Sequence, residues 1–141
     1  MARTFKWVLL VWCLWFGLAQ AKSSNEADQA ATRAVIQAQL DAFAQHDAEK
    51  AYSYASDDIK AMFQNAVIFV TMVERNYPVV YHPASVQFLA FSLQGDVARH
   101  TLQMTDQDQT LWNVYYVLTR NDKGQWKISS CQIEKVQGEL I

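Results

Sequence analysis

AVIFVTMVERNYPVVYHP, residues 66–83, divides the chain: the sequence before it carries helical spacing and the sequence after it alternates as strands do. Asn65 can cap a helix in which Ile68, Phe69, Met72 and Val73 recur at spacings of three and four. Asn76 tolerates a left-handed backbone and suits the end of that helix. Pro78 has no N–H and drives Tyr77 out of helical geometry, so an extended run through Val79, Val80 and Tyr81 is predicted, with His82 held extended by Pro83. A buried strand over Val67–Val73 competes, because the run is rich in β-branched residues. The cap signals and the length from Asn65 to Asn76 decide for the helix.

Upstream, Ser23 and Glu26 have the spacing of a capping box, and Asp28 adds the charge that a helix start favours. The apolar stripe that follows is Ile36, Leu40 and Phe43, flanked by alanines, with Gln37, Gln39, Asp41 and Gln45 predicted to face water. Asp47 can cap a short helix carrying Ala51, Tyr52 and Ala55, and Ser56 with Asp57 and Asp58 can start another. Adjacent carboxylates also suit general acid–base chemistry. Capping explains them better, since a first turn has orphan N–H groups to satisfy.

Downstream, the period becomes two. Val86, Phe88 and Ala90 alternate up to a two-residue turn at Gly95-Asp96. The next strand places Ala98, His100, Leu102 and Met104 on one face, so His100 is in phase with apolar neighbours. TDQDQT, residues 105–110, lacks the glycine and distal glutamate of a calcium loop and reads as a polar hairpin. The third strand, Leu111–Arg120, is apolar on both faces: Trp112, Val114, Tyr116 and Leu118 on one, Leu111, Tyr115 and Val117 on the other. Such a strand should be covered on both sides, by helices on one and by a partner subunit or the chain's own termini on the other. After a turn at Asn121–Gly124, Trp126 and Ile128 alternate, while Cys131 and Ile133 fall out of phase, which places a bulge near Ser129-Ser130. The fold predicted is α+β: N-terminal helices, then a four-stranded antiparallel meander.

The first residues address the chain. Arg3 and Lys6 precede an apolar run from Trp7 to Leu18, and Ala19-Gln20-Ala21 fits an A-x-A cleavage site. A cleaved secretory signal peptide over Met1–Ala21 is therefore expected, leaving one domain over Lys22–Ile141 in the periplasm or outside the cell. Twelve apolar residues fall short of the ~20 that span a bilayer, so no membrane span is expected after cleavage. Cys13 lies inside the apolar run and follows bulky Trp12, unlike a lipoprotein cysteine.

Of twelve basic and fourteen acidic residues, Arg3 and Lys6 leave with the signal peptide. The resulting net charge near −4, without any Lys/Arg cluster, excludes the basic stripe of a nucleic-acid binder. Cys131 then remains as the only thiol, which forbids an internal disulfide; a small buried hydrophobe is its ordinary role, a nucleophile the rarer one. No Cys/His spacing suggests a metal site, and no cofactor motif occurs.

Phe69-x-x-Met72-Val73, Tyr77-Pro78-x-Val80-Tyr81-x-Pro83 and the ending Trp126-x-Ile128-x-x-Cys131 resemble a secreted bacterial family known as domain of unknown function 4864. Helices ahead of an antiparallel sheet also resemble the nuclear-transport-factor-2 superfamily, which includes ketosteroid isomerase. The resemblance implies a curved sheet wrapped on the long helix as a cystatin-like cone, a pocket between sheet and helices, and dimers through the outer sheet face. It implies no agreed activity, and the ketosteroid-isomerase set is missing, since no strand places an inward carboxylate beside a tyrosine.

Three functions follow as expectations. A non-catalytic module would bind a small apolar or aromatic ligand among Tyr52, Met72, Tyr77, Tyr81, Trp112 and Tyr116, although such side chains also fill ordinary cores. An isomerase, dehydratase or hydrolase would use His100 as general base with Tyr77, Tyr81 or Tyr116 donating to an oxyanion, although a lone inward histidine is more often a hydrogen-bonded core residue. An interaction protein of the cell envelope, a homodimer first of all, would present Leu111, Tyr115 and Val117.

Overall fold

A computed structural model describes residues 17–138, with side chains from residue 24 onward. Most of the expected signal peptide lies outside the described residues. Five helices, α1 (Gly17–Ala44), α2 (Ala48–Ser53), α3 (Asp57–Phe63), α4 (Ala66–Asn76) and α5 (Pro78–Tyr81), precede four strands, β1 (Ser85–Gln94), β2 (Val97–Thr105), β3 (Leu111–Arg120) and β4 (Trp126–Lys135). The strands form one antiparallel sheet in the order β1-β2-β3-β4. The α+β layer expectation holds.

α1 does not begin at the Ser23–Glu26 box; it is already helical at Gly17, because Ala19, Gln20, Ala21 and Lys22 are good helix formers and offer no break. Ile36, Leu40 and Phe43 lie buried against the inner sheet face, where Ala98, Leu102, Met104, Val114, Leu118 and Ile128 complete the core. Gln39, predicted to face water, is buried instead, and its Nε2–H donates to the Ala51 carbonyl at 3.1 Å, which ties α1 to α2. Two polar latches fix α1 on the sheet. Arg120 Nη2 donates to Asp28 Oδ1 at 2.6 Å while its guanidinium stacks 4.5 Å above the Trp126 ring, and Thr32 Oγ1 meets His100 Nε2 at 2.7 Å.

The short helices obey their caps. Asp47 Oδ1 accepts from Lys50 N at 3.1 Å, Ser56 Oγ from Ile59 N at 3.4 Å, and Asn65 Oδ1 from Ile68 N at 3.0 Å. α4 ends at Asn76 as expected, although Asn76 does not take a left-handed backbone and donates Nδ2–H to the Met72 carbonyl; the extended run expected beyond it does not form. Pro78 does expel Tyr77 from helical geometry (φ −131°, ψ 54°), but the chain then starts a new helical turn, α5, with the proline at its first position, where a missing N–H costs nothing. α5 buries Val79 and Val80.

In the sheet, Gly95 and Gly124 take the positive φ that their hairpins demand, 59° and 75°. The TDQDQT hairpin closes on itself: Asp106 Oδ1 accepts from Asp108 N and Thr110 N, and Oδ2 from the Trp112 indole at 2.9 Å. The bulge expected near Ser129-Ser130 is present, with the register slipping between Leu118↔Ile128 and Val117↔Ser130. A second bulge, at Leu89, was not expected. It shifts the alternation of β1, so that Phe91 and Leu93 pack on the core and Ala90 turns outward.

Candidate functional site

A cavity of about 340 Å³ opens between α1, α3, α4 and β4. Phe43, Phe63 and Phe69 form its aromatic wall, with Phe69 6.4 Å from Phe43 and edge-on to Phe63 at 5.7 Å. Helical spacing accounts for the α4 contribution, since Phe69, Met72 and Val73 share one face. Met62, 69 % exposed, stands at the mouth. The polar contributors are Gln39, Tyr77, Ser129, Ser130, Cys131 and Gln132, and among the described residues no charged side chain and no histidine lines the cavity.

Three of the polar contributors have a physical assignment. Gln39 spends its N–H on Ala51. The Ser129 hydroxyl donates to the Val117 carbonyl at 3.1 Å across the bulge. Cys131 lies across the β3–β4 ladder from Tyr116, whose buried hydroxyl has no nitrogen or oxygen partner among the described residues and sits beside the thiol. Burial pushes the Cys131 thiol up to about 12, with the Tyr116 hydroxyl pulling weakly the other way, so sulfur is present as the thiol. Burial likewise raises the Tyr116 phenol well above its ordinary range.

The aromatic set singled out in the sequence is dispersed. Met72 and Tyr77 line the cavity. Tyr52 packs 5.4 Å from Phe69 behind the wall, its hydroxyl donating to the Lys60 carbonyl at 2.6 Å. Tyr81 lies against Phe43 at 5.8 Å, with its hydroxyl 3.2 Å from His46 Nδ1. Trp112 is held by Asp106, whose carboxyl the indole N–H keeps below its usual range. Tyr116 fills the core beside His100, its partner in the β2–β3 register. His100 is 3 % exposed and does not border the cavity; Phe88 and Phe91 enclose it at 5.7 and 4.8 Å. Burial first, then Arg33, lowers its pKa to about 4. Thr32 has one hydroxyl proton, and the Asp28 carbonyl 2.7 Å away can only accept it, so His100 donates Nε2–H to Thr32 Oγ1. Leu111, Tyr115 and Val117 lie half-buried on the outer sheet face, where the Tyr115 hydroxyl donates to Glu134 at 3.0 Å.

As site residues the sequence reading missed Gln39, the aromatic wall of Phe43, Phe63 and Phe69, and Ser129, Ser130 and Gln132 of β4. The bulge signal could have drawn attention to the serines; nothing in the α1 pattern separates Gln39 from its exposed neighbours.

Residues 25–141 match the family described as Domain of unknown function (DUF4864). The chain belongs to that family. Among solved structures, this DUF4864 domain is similar to an NTF2-like protein of unknown function from Shewanella baltica OS155, at 11 % identity and TM-score 0.50, covering 79 % of this chain and 96 % of that one. An NTF-2 like protein of unknown function from Silicibacter pomeroyi DSS-3 gives 15 % identity and TM-score 0.47, with 79 % and 98 % covered. The Shewanella likeness places the domain in the NTF2-like fold and assigns no chemistry. No curated protein matches the sequence.

Chemically, the cavity of this DUF4864 domain can desolvate an apolar group and offer it a few neutral hydrogen-bonding partners. No group of three or more His, Cys, Asp or Glu among the described residues could hold a metal ion. No described helix is long and apolar enough to cross a membrane.

Proposed function

We propose that this domain is a secreted, periplasmic module that binds a small, uncharged apolar or aromatic ligand in the cavity bounded by α1, α3, α4 and β4, without turning it over. One observation carries the reading: a cavity of about 340 Å³ walled by Phe43, Phe63, Phe69, Met72 and Val73, with no charged or imidazole side chain of the described residues on its lining. Ligand sites are built this way, from apolar walls and a few placed polar groups. General acid–base chemistry near neutral pH needs a carboxylate, imidazole or lowered amine within hydrogen-bond reach of the substrate. His100 sits outside the lining, and the Cys131 thiol is held too high to serve as a thiolate nucleophile. Self-association through Leu111, Tyr115 and Val117 would use the outer sheet face and is compatible with a ligand in the cavity.

Methionine methyl groups report directly on occupancy. In a carbon–proton NMR titration with indole, the Met62 and Met72 methyls at the cavity shift, while Met104, fully buried and away from the lining, stays in place. Indole that moves neither Met62 nor Met72 at millimolar concentration contradicts the reading.

A further inference from the structure

Five consecutive residues of β4, Ile128 to Gln132, border the cavity. A strand that offers its face contributes alternate residues, because successive side chains point to opposite faces. The bulge at Ser129-Ser130 interrupts that alternation, and Ala55, which bridges the outer edge of β4 at Ile128, lines the cavity too, so the cavity meets the strand along this edge. Among the described residues β4 is the last strand of the sheet, so one of its edges has no neighbouring strand. That edge is paired at a single place among the described residues: the Ile128 N–H donates to the Tyr54 carbonyl at 2.8 Å, and the Ile128 carbonyl accepts from the Ser56 N–H at 2.9 Å, a parallel bridge centred on Ala55. The chain then turns away into α3. From Ser129 to Gln132 no backbone group bonds to anything beyond the sheet among the described residues.

We propose that the cavity and this free edge form one site for an extended, uncharged peptide segment. Its main chain adds to β4 beyond the Ala55 bridge, and one bulky apolar side chain enters the cavity. The inference rests on the binding reading above and names its ligand class. Three features favour a peptide over a compact small molecule. An unpaired edge presents main-chain donors and acceptors at the strand repeat, which another extended main chain matches along its length. The free stretch of four residues spans about 13 Å, room for three or four added residues. The adjoining hole is apolar and uncharged and lies at the small end of ligand cavities, which suits a single side chain.

The test is calorimetric titration of the protein, produced from the full chain, with acetyl-valyl-phenylalanyl-valyl amide and two N-methylated forms. One carries the methyl on the central amide, the other on both flanking valine amides. In an added strand, neighbouring residues direct their N–H groups to opposite sides, so only one pattern blocks pairing. The expected result is binding of the parent peptide, a loss of about tenfold or more with one pattern, and a change within about twofold with the other. Equal effects of the two patterns overturn the inference, because the edge is then not read. A parent peptide that fails to bind while indole still shifts Met72 overturns the peptide class and leaves the cavity reading standing. Failure of both peptide and indole removes the cavity reading itself. The substitutions are in the ligand, so no outcome turns on whether a variant folds.

Discussion

His100 is where a catalytic reading and a structural one meet on one side chain. Its ring is enclosed by Phe88 and Phe91, donates to Thr32, and has a pKa lowered to about 4 by burial and by Arg33. A neutral imidazole in the folded state means that the unfolded chain binds the extra proton as pH falls below 6.5. The stability this provides is fully present above pH 6.5 and is lost as pH falls toward 4, by on the order of 3 kcal/mol. Thermal melts between pH 7 and 4 should therefore show a steady fall in Tm that His100→Gln, which keeps a donor for Thr32, flattens. The Asp106 carboxyl, also lowered in pKa, responds only below its ordinary range near 3.8 and so falls outside this window. An unchanged slope in the variant would contradict the account. That His100 points inward was legible from its phase with Ala98, Leu102 and Met104. Its distance from the cavity was not, because a strand pattern names a face and not the neighbour that fills the space above it.

At the scale of elements, caps were the most legible feature and breaks the least. Asn65, Asp47 and Ser56 cap as their types predict, because a first-turn N–H group needs an acceptor whatever the tertiary context. Pro78 misled because the same ring that ends one helix is well formed to begin another. Leu89 misled because a bulge leaves no period of its own; the pattern Val86, Phe88, Phe91, Leu93 becomes visible only when one residue is allowed to drop out. α4 matters most to the site, since it supplies Phe69, Met72 and Val73 to the cavity wall. Asn65→Ala removes its cap and should cost about 1 kcal/mol of stability, a fall of roughly 4 °C in Tm, read by calorimetry. A variant as stable as the parent would mean that tertiary packing alone holds the start of α4.

The whole molecule is a helical layer in which α1 is latched to the sheet at both the Asp28–Arg120 and the Thr32–His100 contacts, with α3 and α4 facing β4 across the cavity. The layer order and the family were legible in the sequence, because they follow from where helical period gives way to strand period and from the motifs around Phe69–Pro83 and Trp126–Cys131. The cavity was not. The aromatic residues best placed by pattern, Trp112 and Tyr116, fill the core or close a hairpin, and the cavity lies between α1, α3, α4 and the β4 edge. A sequence specifies which side chains go inside; the gap that remains depends on how helices of different length meet a sheet. The measurement that tests the central claim most directly is native mass spectrometry of the protein purified gently from its own host. The account predicts a fraction carrying one retained, uncharged apolar molecule or peptide, displaced on adding indole. Protein that is uniformly empty under those conditions, and that binds neither indole nor the blocked peptide afterwards, would contradict it.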